Sequence, residues 1–167
     1  MTILALVLTL TALLFAGLMA GLFYAFSVSV MPGLDSGPPE TAIAAMAAIN
    51  RVIQNPVFFA IFFLTPVIAL AAAVALWMIG QKAACWLMAM SAAAYFAGAF
   101  LPTVVVNVPL NNALDAVVLP KPAAEAAQAW LDYSPRWTWW NSLRAVACSV
   151  STVAAGLALY VWDRPPA

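Results

Sequence analysis

Apolar residues run along this chain in long blocks separated by short polar ones. Four stretches contain no charged residue: 1–34 (34 residues), 52–81 (30), 83–114 (32) and 145–162 (18). Roughly 18 consecutive apolar residues make a helix long enough to cross a bilayer, and trimming at prolines and polar residues puts the spans at about 3–31, 56–79, 83–106 and 139–162. No basic residue precedes the first apolar core, and that core exceeds the ~7–15 residues of a signal peptide, so it is expected to be a retained helix. Gly17, Gly21, Ala25 and Ser29 form a small-residue stripe at spacing four. Such a stripe lets another helix approach closely, either within the bundle or, as the less favoured alternative, from a second copy of the chain.

The breaks have their own grammar. Met31, Pro32, Gly33 and Leu34 are expected to end the first helix, and Gly37, Pro38 and Pro39 make a turn. From Glu40 onward, Ile43, Met46, Ala47, Ile49 and Ile53 recur at helical spacing and lead into the second span. Pro56, Pro66 and Pro102 each remove a helix donor and predict kinks. The short Gly80–Gln81–Lys82 connection makes spans two and three antiparallel neighbours.

Residues 107–138 read as a cap outside the membrane. Pro109 is positioned to open a short helix over 110–118, and Lys121–Pro122 another reaching Trp130 and Leu131. Tyr133, Ser134 and Pro135 then turn the chain into Trp137, Trp139 and Trp140, an aromatic belt at the membrane surface. The expected fold is a single all-α membrane domain over residues 1–167, a four-helix transmembrane bundle with a short helical cap between spans three and four. Both termini then share one side. Lys82 and Arg164 on that side against Arg51, Lys121 and Arg136 on the other separate the two orientations only slightly, in favour of termini inside. A multi-pass protein of the bacterial cytoplasmic membrane is the expectation.

Composition sharpens this. Hydrophobic residues make up 66% of the chain and charged ones 7%, against about 25% charged in soluble domains. Half of the twelve charges fall within 115–144. There is no histidine, so Ser-His-Asp, Cys-His and His-metal chemistry is excluded from this chain alone. Net charge is zero, which argues against a nucleic-acid partner. Cys85 and Cys148 are too few for a thiolate metal cluster. On the expected topology they lie more than ~10 Å apart, beyond the reach of a disulfide. Neither a metal nor another cofactor is expected.

Polar side chains inside spans are costly and therefore informative. Mapped on the bundle, they gather at one membrane face: Tyr24 and Ser27 from span one, Asn50, Arg51, Gln54 and Asn55 before span two, Asn107, Asn111, Asn112 and Asp115 after span three, and Asn141 and Arg144 in span four. Arg144 either snorkels to headgroups or faces inward, paired with Asp115 and supported by Asn141 at i−3. Helix caps around Pro109 account for one or two of the three asparagines at 107, 111 and 112. Trp130 and Trp140 bracket the polar cluster and are candidates for lining a pocket, whereas the other tryptophans read as interfacial anchors.

Four segments carry a family resemblance: GLFYAFSVSVMPGL (21–34), AAINRVIQNPVFF (47–59), NVPLNNAL (107–114) and WTWWNSLR (137–144). In this order and on one membrane face they resemble the anthrone-oxygenase-like integral membrane family, over about residues 5–160. The resemblance implies oxidation of an anthrone to an anthraquinone by molecular oxygen, without metal or flavin. Such chemistry needs an apolar aromatic slot, a base, and donors at the developing oxyanion. On that implication Asp115 is the base, Arg144 and Asn111 with the other asparagines are the donors, and Tyr24, Trp130 and Trp140 form the slot. The alternative is a non-catalytic membrane protein that binds a lipid, quinone or hydrophobic metabolite, or an accessory subunit. A transporter is least supported, since the spans offer no acidic ion path. Membrane lipid and a hydrophobic small molecule are the expected partners, with a homo-oligomer left open.

Overall fold

Helix formation here follows the apolar runs and then continues past them. The computed structural model describes residues 1–162, in which the helices are α1 (Thr2–Asp35), α2 (Pro39–Val52), α3 (Pro56–Met78), α4 (Lys82–Asp115) and α5 (Ala123–Val161). All but α2 are long and apolar enough to cross a membrane, and the chain is an integral membrane protein. α1 packs against α3 and α5, and α4 packs against the same two, closing a four-helix ring with α2 outside it. Expected Arg164 on the terminal side lies outside the described residues.

Local chemistry sets the helix ends. The Asn55 side chain caps α3 by accepting from the Val57 and Phe58 amides at 3.1 and 3.0 Å, with Pro56 placed where no donor is needed. Gly80, at φ +81°, closes the other end: its amide donates to Trp77 O and that of Gln81 to Leu76 O, both at 3.0 Å. Between these ends the bundle interior is built from small side chains. Ala12, Ala69, Ala72, Ala84, Ala155 and Ala158 are buried around Leu76 and Met88. Lipid supplies no hydrophobic drive for helix association, so close approach and dispersion must hold the ring together. Ser91 Oγ reaches Ser151 Oγ at 2.8 Å and ties α4 to α5 across that interior.

Where the sequence predicts a helix end at Pro32, a kink at Pro102 and a new short helix at Pro109, the helices instead run on. Each of these prolines follows a widened π turn by two residues: Phe26–Val30 before Pro32, Phe96–Phe100 before Pro102, and Thr103–Asn107 before Pro109. A proline lacks the helix donor and its ring crowds the carbonyl four residues back. Adding a residue to the preceding turn relieves that crowding and keeps the axis continuous. Thus α1 extends to Asp35 and α4 to Asp115, with no separate short helix opened by Pro109.

The predicted turn at Tyr133–Ser134–Pro135 is likewise absent, and the segment is the middle of the 39-residue α5. At ~1.5 Å per residue α5 is about 58 Å long, well beyond what a ~30 Å hydrocarbon core requires. Side-chain bonds hold the helix through Pro135: Ser134 Oγ donates to Asp35 Oδ1 at 2.6 Å and Tyr133 Oη to Asn111 Oδ1 at 2.9 Å. The cap is therefore α2 laid against the projecting ends of α1, α4 and α5. Its core joins Met31, Ile43, Met46, Leu114, Trp130 and Trp137.

Candidate functional site

A cavity of about 190 Å³ lies where the bundle meets the cap. α3 gives it an aromatic wall, Phe58, Phe59, Phe62 and Phe63, with Phe58 stacked on Phe62 and Phe62 on Phe100 at centroid distances of 5.5 Å. The polar wall comes from α4, as Thr103, Asn107 and Asn111 at spacing four, and from α5, as Trp137, Asn141 and Arg144. α1 adds Phe23 and α2 adds Asn50. Among the described residues no carboxylate or cysteine lines it, and the chain has no histidine.

Arg144 is 4% exposed. Its Nη1 donates to Thr103 Oγ1 at 2.9 Å and its Nη2 to Asn141 Oδ1 at 2.8 Å. The guanidinium carbon sits 4.3 Å from the Phe23 ring centroid and 5.3 Å from that of Trp137, so cation–π attraction replaces part of the lost hydration. Among the described residues no carboxylate lies within ion-pair distance of it. The acceptors that hold Arg144 are themselves fixed. Thr103 Oγ1 donates to Ala99 O at 2.8 Å, and Asn141 Nδ2 donates to Phe23 O and Ser27 Oγ, both at 2.7 Å. Because the amide's nitrogen is spoken for by a carbonyl, its oxygen must face the arginine.

Buried polar atoms almost always find partners. Among the described residues four side-chain atoms do not, and three of them are on residues that line the cavity: Arg144 Nε, Asn50 Nδ2 and Asn107 Oδ1, the fourth being Thr138 Oγ1 outside it. Asn107 is 1% exposed and its Nδ2 donates to Trp137 O at 3.3 Å, which leaves the oxygen as the unpaired end. Asn111 is oriented the other way, its Oδ1 accepting from Tyr133 Oη at 2.9 Å and Trp137 Nε1 at 2.8 Å. The site thus offers two donors, one of them cationic, and one acceptor, facing a wall of phenylalanines. That arrangement suits a flat apolar molecule with an electron-rich or anionic oxygen.

A family model described as anthrone oxygenase matches residues 57–154, more than half of the chain. The chain belongs to the anthrone oxygenase family. No curated protein and no solved structure matches. The matched region holds the α3, α4 and α5 walls, including every polar residue of the cavity lining except Asn50 and Gln54.

For this anthrone oxygenase family member, the structure gathers some of the residues expected at the site and separates others. Arg144, Asn141, Asn50, Asn107, Asn111 and Asn112 all line the cavity. Asp115 does not: it pairs with Arg51 on the exposed outer face of the cap, because α2 lies across the end of α4 and brings Arg51 to it. Asn55 is used as the α3 cap. Tyr24 is 63% exposed, one position round the helix from the inward-facing Phe23. Trp130 is buried in the cap, donating to Asp35 Oδ1 at 2.8 Å, and Trp140 packs edge-on against Trp139. Sequence reasoning missed Trp137 and Thr103 as cavity residues and treated the α3 phenylalanines as generic apolar material. The signal was available: Trp137, Asn141 and Arg144 stand at i, i+4 and i+7, one face of an unbroken helix.

Proposed function

We propose that the protein is a membrane-embedded oxygenase that binds a lipophilic aromatic ketone of the anthrone type in this cavity and oxidises it with molecular oxygen. Family membership supports the reaction class, and the single observation that carries the assignment of the site is Arg144, a buried cation with no anionic partner among the described residues and an unpaired Nε at the cavity. An isolated buried charge is costly, and an anionic ligand offsets that cost. An anthrone supplies one. Loss of a proton from its doubly benzylic carbon gives a delocalised anion whose charge rests largely on the ketone oxygen, where Arg144 and Asn50 donate.

Among the described residues no carboxylate lines the cavity, so the role of base passes from Asp115 to water at the polar rim near Gln54 and Asn112. The carbanion adds oxygen to give a peroxide anion. Protonation and loss of water then leave a new ketone at that carbon. One oxygen atom enters the product, the other leaves as water, and the substrate supplies all the electrons. The phenylalanine wall holds the ring system flat beside Arg144, and Trp137 closes the slot from α5.

Oxygen uptake by the purified protein in lipid nanodiscs, with anthrone as substrate, tests this directly. One O₂ consumed per anthraquinone formed is expected, and no uptake above the buffer rate would remove the reading. A second reading, a carrier that holds a phenol or quinone without turning it over, is favoured by the absence of a side-chain base in the cavity. Stoichiometric binding with no oxygen uptake would select it.

A further inference from the structure

The unpaired Asn107 Oδ1 has no role in the chemistry above, and among the described residues it is the one fully buried cavity acceptor without a donor. Its direction is not arbitrary. Asn107 is 1% exposed and is held by Nδ2 donating to Trp137 O at 3.3 Å, so turning the amide over would set oxygen against oxygen. The two unpaired donors, Arg144 Nε and Asn50 Nδ2, suit a ligand oxygen; an acceptor suits a ligand atom bearing hydrogen. We propose that Asn107 makes the cavity selective for the reduced form of its aromatic ligand and so favours release of the quinone product.

This rests on the oxygenase reading and deepens it. With the ketone oxygen on Arg144, the position across the ring carries hydrogen in the substrate and a carbonyl oxygen in the product. In a hydroquinone that position carries an O–H, which donates to Asn107 Oδ1; in the quinone it carries an acceptor that faces another acceptor. A buried acceptor without a donor costs enough to set preferences of about tenfold or more.

The test uses 1,4-naphthoquinone, its hydroquinone and 1,4-dimethoxynaphthalene, titrated without oxygen against the protein in nanodiscs, with tryptophan fluorescence as readout. The hydroquinone is expected to bind about tenfold more tightly than the quinone, which raises the midpoint potential of the bound couple by about 30 mV for a two-electron exchange. The dimethyl ether, which has no donor, is expected to bind as weakly as the quinone. In Asn107→Leu the preference for the hydroquinone is expected to fall within twofold while both compounds still bind. Equal affinities in the wild type, a preference for the quinone, a dimethyl ether as tight as the hydroquinone, or a preference that survives in Asn107→Leu would each overturn the proposal and leave the oxygenase reading standing. If none of the three compounds binds, the assignment of the cavity falls and the proposal with it.

Discussion

Arg144 Nη2 donates to the side-chain oxygen of Asn141, three residues earlier on the same helix, at 2.8 Å. That contact is the centre of a chain of bonds from α1 to α4, since Asn141 also donates to Phe23 O and Arg144 to Thr103. The network holds a cation in place without neutralising it. Asn141→Leu leaves the charged Nη2 without a partner and removes two bonds to α1, and we expect it to destabilise the protein by about 3 kcal/mol. Thr103→Val leaves the charged Nη1 without a partner but removes no bond to α1, and is expected to cost about 1.5 kcal/mol. Reversible unfolding in mixed micelles should rank them in that order; equal stability of the two variants would contradict the network.

Asp35 ties the projecting start of α5 to the end of α1 through Trp130 and Ser134. Hydrogen bonds to a charged group are worth about 1.5–3 kcal/mol, so Asp35→Ala should loosen the cap and leave the bundle intact. Hydrogen exchange should rise over residues 123–135 and stay unchanged over α3. Protection unchanged in both regions would show that apolar packing alone holds the cap.

Gly98 lets α4 lie close against α5: a Cβ built on it would lie 2.4 Å from the Ala147 Cβ. Gly98→Ala therefore forces the helices apart, at about 1–3 kcal/mol for an overpacked contact. Adding Ala147→Gly removes the clashing atom, and the double variant is expected to recover most of the loss. Thermal unfolding of the two single variants and the pair measures the coupling, and purely additive losses would place the contact elsewhere.

Pro66 has no amide hydrogen, so the Phe62 carbonyl one turn back lacks its helix donor. Tyr95 Oη fills the gap at 3.1 Å. Tyr95→Phe should cost about 1 kcal/mol, within the range found for bonds between membrane helices. In a Pro66→Ala background, where the helix supplies its own donor, the same change should cost close to nothing. A loss of the same size in both backgrounds would dissociate the tyrosine from the proline.

The four spans were legible because charge is so scarce that its gaps mark the membrane directly. Helix ends were less so. A proline announces a missing hydrogen bond, but not the extra residue in the turn before it that lets α1 and α4 continue. Placing a turn at Pro135 also hid the stripe of Trp137, Asn141 and Arg144, and put Trp130 and Trp140 in the slot instead. The clustering of asparagines near Arg144 was visible from topology. The partner of Asp115 was not, since opposite charges on one membrane face can pair in several ways and only the position of α2 selects Arg51.

The central claim is that Arg144, and not the exposed Asp115, serves the bound anion. Oxygen uptake with anthrone in nanodiscs, compared across wild type, Arg144→Met and Asp115→Asn, tests it most directly. Arg144→Met is expected to lose about 100-fold or more in turnover, the cost of removing an oxyanion donor, while Asp115→Asn stays within about twofold of wild type. Full turnover by folded Arg144→Met, or its loss in Asp115→Asn, would contradict the account.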